Sequence, residues 1–261
     1  MKNPRNRPVW ALVLGWACLG QLLTACSLPL LRPPEPSPLD SSRQLVAVST
    51  KDWDATTGTL QRYQRDTSSG QWQPTGAALP VVVGRNGLGW GIGLGAAWAP
   101  GNAPLKREGD GKAPAGAFAF NGAFGYASPD AVPQVRLPYT QAVGVYRCVD
   151  DIASRHYNRL LFEDRVNKDW TSSEEMLRPD DLYRLGLVVE HNWGHRTQGG
   201  RGSCIFLHIW KGPDSTTAGC TAMDPADMES LLGWLDPALG PVLVQLPRPE
   251  YDRLQGAWGL P

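Results

Sequence analysis

The chain has 261 residues with 25 basic and 25 acidic side chains, no formal net charge and five cysteines. That length holds one large domain or two small ones, and 42% apolar against 19% charged residues is enough hydrophobic material for a sizeable core. Twenty-nine glycines and 23 prolines disfavour an all-helical fold, and the balanced charge lacks the clustered Lys and Arg with which a nucleic-acid binder neutralises phosphates.

At the N-terminus, Lys2, Arg5 and Arg7 precede an apolar run from Val9 to Leu23 with no acidic residue. A run of about 15 residues falls short of the roughly 20 that cross a bilayer, so residues 1–25 read as a secretory signal. The run ends in Leu23-Thr24-Ala25-Cys26, which resembles the lipobox of bacterial lipoproteins, where the cysteine is acylated and the chain is cut just before it. The resemblance implies a lipidated Cys26, a membrane held through the lipid and an exported protein; Ser27 after the cysteine favours the outer membrane in a cell that has two. Loss of residues 1–25 removes three positive charges, leaving 22 basic against 25 acidic residues, and takes Cys18 with it. Three cysteines, Cys148, Cys204 and Cys220, then share an oxidising compartment and cannot all pair within one chain.

Residues 26–42 carry Pro29, Pro33, Pro34, Pro36 and Pro38 without apolar periodicity and read as an extended tether, reaching at most ~50 Å at about 3.1 Å per residue. Beyond it, short apolar runs bounded by Gly, Pro, Asn and Asp predict strands: Leu45–Val48, Leu79–Val83, Ala117–Phe120, Val143–Tyr146, Leu185–Val189, Cys204–Trp210 and Val242–Leu246. Between the second and third of these, Leu88, Trp90, Ile92 and Leu94 alternate with glycines, which suits a strand closely approached by other backbone. Those glycines never meet the G-x-G-x-x-G spacing of a dinucleotide loop. One helix is predicted at about 225–235, with Asp224 as N-cap, Pro225 in the first position and Met228, Leu231, Leu232 and Leu235 on one face. A weaker helical stretch surrounds Glu174–Leu177. The simplest division is one mostly-β domain over residues 43–261.

The segment Cys204–Trp210 is apolar on both strand faces, so His208 lies at or near the interior, where an imidazole needs a partner. After the loop Lys211–Thr216 the chain can turn back to bring Cys220 alongside it. Gly219, just before the cysteine, lets a substrate approach the main chain. A thiol beside an imidazole makes a thiolate nucleophile, because the ring takes the proton or holds the anion.

Thr217-Ala218-Gly219-Cys220 with His208 upstream resembles the active-site signature of the YkuD-type L,D-transpeptidases, bacterial enzymes that remodel peptidoglycan. Val83–Leu88, Gly109–Phe118, Cys148–Asp151 with Tyr157-Asn158, and Val189–Asn192 are also similar to pieces of that family, so the likeness covers about residues 43–246. Many members have Ser/Thr-His-Gly-Cys and an Arg or Asn two residues after the cysteine; here Ala218 and Ala222 stand there. The resemblance implies a YkuD-like β-sandwich or barrel with a few short helices. It implies that the Cys220 thiolate attacks the diaminopimelate carbonyl of a peptidoglycan stem peptide and releases D-alanine. His208 is then the general base, and an amine acceptor or water resolves the thioester. Backbone N–H groups around Gly219, Cys220 and Thr221 are expected to receive the oxyanion, and no metal or organic cofactor is implied.

Glu190, His191, Asn192 and Thr217 are candidates to orient His208 or bind substrate. A disulfide between Cys148 and Cys204 is one open pairing, and it leaves Cys220 as the free thiol. Two rival classes stand beside this reading. A metal site could draw on His191, His195 and His208, although the residues between the first two make a poor helix. A non-catalytic lipoprotein tethering the envelope to peptidoglycan would need only the anchor.

Overall fold

The structure, a computed structural model, describes residues 36–95 and 98–261; the expected signal segment 1–25, the expected lipidation site Cys26 and most of the expected tether lie outside the described residues. The chain is mostly β, as expected. In order it runs β1 (Gln44–Thr50), β2 (Thr57–Gln64), β3 (Gln73–Val82), β4 (Leu88–Trp90), β5 (Ala113–Gly125), β6 (Tyr139–Gln141), β7 (Tyr146–Val149), β8 (Leu160–Phe162), β9 (Ser173–Glu175), β10 (Leu185–Val189), β11 (Phe206–Ile209) and β12 (Thr221–Met223). Helix α1 (Pro225–Trp234), β13 (Val242–Pro247) and helix α2 (Arg248–Trp258) complete it.

Pairing runs β10-β11-β12-β3-β2-β1-β13-β5, and β5 also pairs with β10, which closes these eight strands into a barrel. Closure leaves no free edge among them. The period of two along each strand divides the apolar residues between two clusters. Val46 and Val48 of β1, Leu187 of β10 and Leu207 and Ile209 of β11 pack with Met228, Leu231 and Leu232 of α1. Leu45 and Ala47 of β1 and Val242, Val244 and Leu246 of β13 pack instead with Tyr251, Leu254 and Trp258 of α2. Apolar residues on both faces therefore signal a strand covered on both sides.

Helix α1 begins where expected: the Asp224 side chain accepts a hydrogen bond from the Ala226 N–H (2.9 Å) and Pro225 opens the helix. Helix α2 was not anticipated, although Tyr251, Leu254 and Trp258 recur at helical spacing before Gly259, which caps it at φ 63°. The stretch around Glu174, expected to be helical, is strand β9, because β7 offers it a backbone ladder in which Cys148 lies opposite Glu174. The run Val143–Tyr146 is displaced onward to β7. Cys204–Trp210 shortens to β11 because Cys204 sits at φ 54°, outside extended geometry.

The packed domain also begins earlier than residue 43. Leu39 is 1% exposed within the α2 cluster, the Ser37 hydroxyl donates to the Trp258 carbonyl (2.7 Å) and the Arg65 side chain donates to the Leu39 and Ser42 carbonyls. Burying one leucine in this way is worth about 1.5–3 kcal/mol. In the glycine-rich stretch the expected close approach of backbone is present: a Cβ on Gly87 would lie 2.0 Å from the Trp53 carbonyl oxygen.

A second sheet of three strands, β8-β7-β9, stands beside the barrel. A disulfide from Cys148 of β7 to Cys204, just before β11, ties it there. A third apolar cluster fills the join, with Phe124, Tyr146, Met176, Tyr183 and Phe206 around Cys148, Cys204 and Cys220.

Candidate active site

Strand β11 is held between antiparallel β10, with His208 opposite Gly186, and parallel β12, with His208 opposite Ala222. Alternation sends Leu207 and Ile209 into the α1 core and Phe206 into the cluster that holds Cys220, so His208 takes the Cys220 side. A side chain at Gly186 would collide with Phe124, whose Cζ lies 2.4 Å from the Cβ position. The glycine thus admits an aromatic wall. Phe124 packs edge-on against Tyr183 and Phe206, and Tyr183 packs edge-on against the His208 ring at 5.1 Å between centroids.

Cys220 and His208 line one cavity of about 360 Å³. Around them stand Gly219 and Thr217 from the turn, Tyr183, Glu174 from β9, Asp150 and the loop residues Lys106 and Glu108. The His208 Nδ1–H donates to the Ile209 carbonyl (2.7 Å), which leaves Nε2 as the lone-pair nitrogen. Cys220, the free cysteine among the described residues, has a buried thiol: Sγ accepts from the Phe206 N–H (3.3 Å) and donates towards the Cys204 carbonyl (3.6 Å).

Burial governs the protonation of both. It pushes the thiol up to about 12, helped by the Glu174 charge, while the Phe206 N–H and Lys106 act the other way. Burial pulls the His208 imidazolium down to about 4, against its bond to the Ile209 carbonyl. At neutral pH the resting pair is a neutral thiol and a neutral imidazole.

The turn before Cys220 is fixed by Thr217, whose hydroxyl donates to the Cys220 carbonyl (2.6 Å) and accepts from the Gly219 N–H (3.1 Å). A Cβ on Gly219 would stand 3.1 Å from the Lys112 carbonyl and 3.8 Å from the Lys106 ammonium. Lys106, 3% exposed, is bound by Asp110 at 2.6 Å. Glu174 accepts from the Tyr183 hydroxyl (2.7 Å), which links the three-stranded sheet through that aromatic ring to His208.

Other expected residues stand elsewhere. Thr221 does not line the cavity; its hydroxyl donates to the Gln245 side chain (2.6 Å), which bonds in turn to the Pro114 carbonyl (2.9 Å). Glu190, His191 and Asn192 are also outside it, and none of them is the partner of His208. His191 Nδ1 accepts from the Ile92 N–H and its Nε2–H donates to the Arg201 carbonyl. Both nitrogens are thereby engaged with backbone, burial pulls its imidazolium down to about 3, and no lone pair is left for a metal. His195 is exposed. Among the described residues no group of three His, Cys, Asp or Glu could hold a metal ion.

His191 and Asn192 belong to a buried scaffold behind the site. The Asn192 amide donates to the Gln198 and Gly202 carbonyls, and the Asn158 amide donates to the carbonyls of both 191 and 192. Asn158 Oδ1 then accepts from the Cys204 N–H (2.9 Å). These bonds fix the loop that delivers Cys204 to its disulfide. Lys106, Glu108, Glu174 and Tyr183 were not singled out in the sequence, since each comes from a separate loop or strand and no local pattern marks them.

A family model described as YkuD, L,D-transpeptidase catalytic domain, matches residues 48–244. Searches of curated proteins and of solved structures found no match.

Proposed function

Because the chain belongs to the YkuD family of L,D-transpeptidase catalytic domains, we propose that it is a cysteine-dependent acyltransferase acting on peptidoglycan stem peptides. The observation that carries this reading is Cys220, the one free thiol among the described residues, lining the same cavity as a histidine whose Nε2 is free to take its proton.

In the proposed reaction Nε2 of His208 removes the thiol proton as Sγ attacks the carbonyl carbon of the diaminopimelate residue that precedes terminal D-alanine. The carbonyl oxygen becomes an oxyanion. Since the Gly219 N–H is taken by Thr217, the Cys220 N–H is the donor of that turn left to receive it. Collapse breaks the peptide C–N bond, and the His208 imidazolium returns its proton to the departing D-alanine amine, leaving a thioester on Cys220. An amine of a second stem peptide then attacks, gives its proton to His208 and frees the thiol. Water in its place yields a trimmed tripeptide.

The resting neutral pair fits this order of events. A thiol held near 12 is protected from oxidation until a substrate fills the cavity and displaces solvent, and proton transfer to His208 then accompanies attack.

The proposal also places the domain outside the cytoplasm, released from residues 1–25, acylated at Cys26 and held on a membrane facing the cell wall, the outer one where there are two. The Cys148–Cys204 disulfide supports this, since such bonds persist in oxidising compartments.

The test is intact-mass analysis of the protein with disaccharide tetrapeptides. We expect a thioester adduct on Cys220, release of D-alanine, and loss of both in Cys220→Ala. Equal processing of muropeptides by wild type and the alanine variant would refute the assignment. Whether the product is a crosslink, an exchanged peptide or a tripeptide is read from the same muropeptide profile.

A further inference from the structure

Three cations reach the cavity wall, Lys106, Arg178 and Lys211, and they differ in what their charged groups are free to do. Lys211 is exposed. Arg178 gives two hydrogen bonds to the Asp180 carboxylate (2.9 and 2.6 Å). Lys106 is 3% exposed, and its ammonium has three N–H donors, of which one goes to Asp110 Oδ1 (2.6 Å) and one to the Arg107 carbonyl (2.7 Å). The third has no acceptor among the described residues.

The surrounding loops fix this ammonium. The Asp110 carboxylate also accepts from the Arg107 N–H (2.7 Å) and the Lys112 N–H (2.9 Å), and the Lys106 N–H donates to the Trp90 carbonyl (3.0 Å). Gly202, at φ 97°, leaves room for the lysine stem, since a Cβ there would lie 3.0 Å from Lys106 Cε. Asp110 does not line the cavity. The ion pair therefore turns its positive end towards that space.

The head of the lysine stands at the turn that carries the nucleophile. A Cβ on Gly219 would lie 3.8 Å from Lys106 Nζ, and neither Arg178 nor Lys211 is among the three atoms nearest that position. From its backbone the turn offers an oxyanion the Cys220 N–H alone, because Thr217 takes the Gly219 N–H. Ala218 and Ala222, on the same wall, bring no polar side chain. Lys106 also favours the Cys220 thiolate, against burial.

We propose that Lys106 is a catalytic residue of the acyl transfer, its third N–H donating, beside the Cys220 N–H, to the oxyanion that forms on the substrate carbonyl. This rests on the reading of Cys220 as the nucleophile. As the Sγ–C bond forms, the carbonyl π pair becomes a lone pair on oxygen, and both donors bind it; no proton leaves Lys106. When the C–N bond breaks, that pair returns to the carbonyl. The same oxyanion forms again when the acceptor amine attacks the thioester. An ammonium fixed before the reaction needs no reorganisation as the charge develops, and its effect grows once substrate displaces solvent.

The experiment follows single-turnover thioester formation on the full chain by intact mass, with saturating disaccharide tetrapeptide. It compares wild type with Lys106→Met, which keeps the stem and loses the charge, and with Lys106→Met combined with Asp110→Asn, which leaves no unpaired carboxylate behind. Both variants are expected to acylate at least about a hundredfold more slowly, the scale of one oxyanion donor lost. Affinity for the stem, measured with Cys220→Ala added, is expected to stay at the wild-type value. A double variant that acylates within about tenfold of wild type, or a rate loss matched by an equal loss of affinity, overturns the inference. So does failure of both variants to fold, because the lysine is then structural. Failure here is separable from failure of the proposed function. Wild type that forms the Cys220 thioester while the variants match it keeps the reaction and loses the role of Lys106, whereas wild type that forms no thioester refutes the reaction itself.

Discussion

At the scale of single residues the decisive quantity is the environment of Cys220, not its neighbour's identity. Its thiol is held up near 12 by burial while His208 is held down near 4 by the same cause, so the free protein stores no thiolate–imidazolium pair. Alkylation of Cys220 by iodoacetamide is therefore expected to accelerate about tenfold per pH unit from pH 7 to 10 without a plateau, as thiolate fraction rises. A plateau near neutrality, read from intact mass against time, would show a preformed ion pair instead. Glu174 makes a contrary contribution. Its folded value of about 7 lies above the ordinary 4.5, so it stabilises the fold fully below 4.5 and that stabilisation is lost as pH rises through 7. Glu174→Gln should raise Tm at pH 8 by about 2–4 °C, the shift made by about 1 kcal/mol in a domain of this size. No gain in Tm would mean that the carboxylate is solvated well enough to carry its charge without cost.

At the scale of elements, the three-stranded sheet β8-β7-β9 is joined to the barrel by the Cys148–Cys204 disulfide and by the contact chain from Glu174 through Tyr183 to His208. The disulfide closes a span of 56 residues, for which the loop-entropy argument gives about 4 kcal/mol. The double substitution Cys148→Ala, Cys204→Ala should lower the denaturant midpoint by a corresponding amount and reduce acyl transfer more than it reduces helix content. Unchanged turnover would show that the small sheet is placed by packing alone. Helix α1 shows which elements were legible. Its Asp224 cap, Pro225 and apolar stripe are local signals, and the helix lies where they put it. Strand β9 was not legible, since Glu174–Leu177 has no strand pattern and takes extended form only because β7 supplies partners.

At the scale of the whole molecule, two buried neutral imidazoles set the acid limit. His208 and His191 titrate near 4 and 3 when folded against an ordinary 6.5. Between those values the unfolded chain binds protons that the folded one refuses, so stability is full above pH 6.5 and falls as pH drops towards 4. Urea midpoints at pH 7.5, 6, 5 and 4 should decline in that order, and a His191→Gln variant that folds should decline less steeply; a flat series would mean that neither ring is buried neutral. His191 also marks where the sequence misdirected. Its place beside Glu190 and Asn192 suggested a role towards His208 or substrate, yet none of the three lines the cavity and two of them order the loop to Cys204. Lys106 and Glu174 reach the cavity from positions far apart in the chain, and no short-range spacing could announce them.

By itself the sequence determined the β-rich fold, the two-sided burial of the His208 strand, the α1 helix and the return of Cys220 to the cavity that His208 lines, because alternation, caps and a short turn after a strand are encoded over a few neighbouring positions. Only the tertiary structure decided which cysteines pair, which polar residues face the cavity and how high the thiol is held. Those depend on distances between segments separated by tens of residues and on the exclusion of water, and both exist only after the barrel closes.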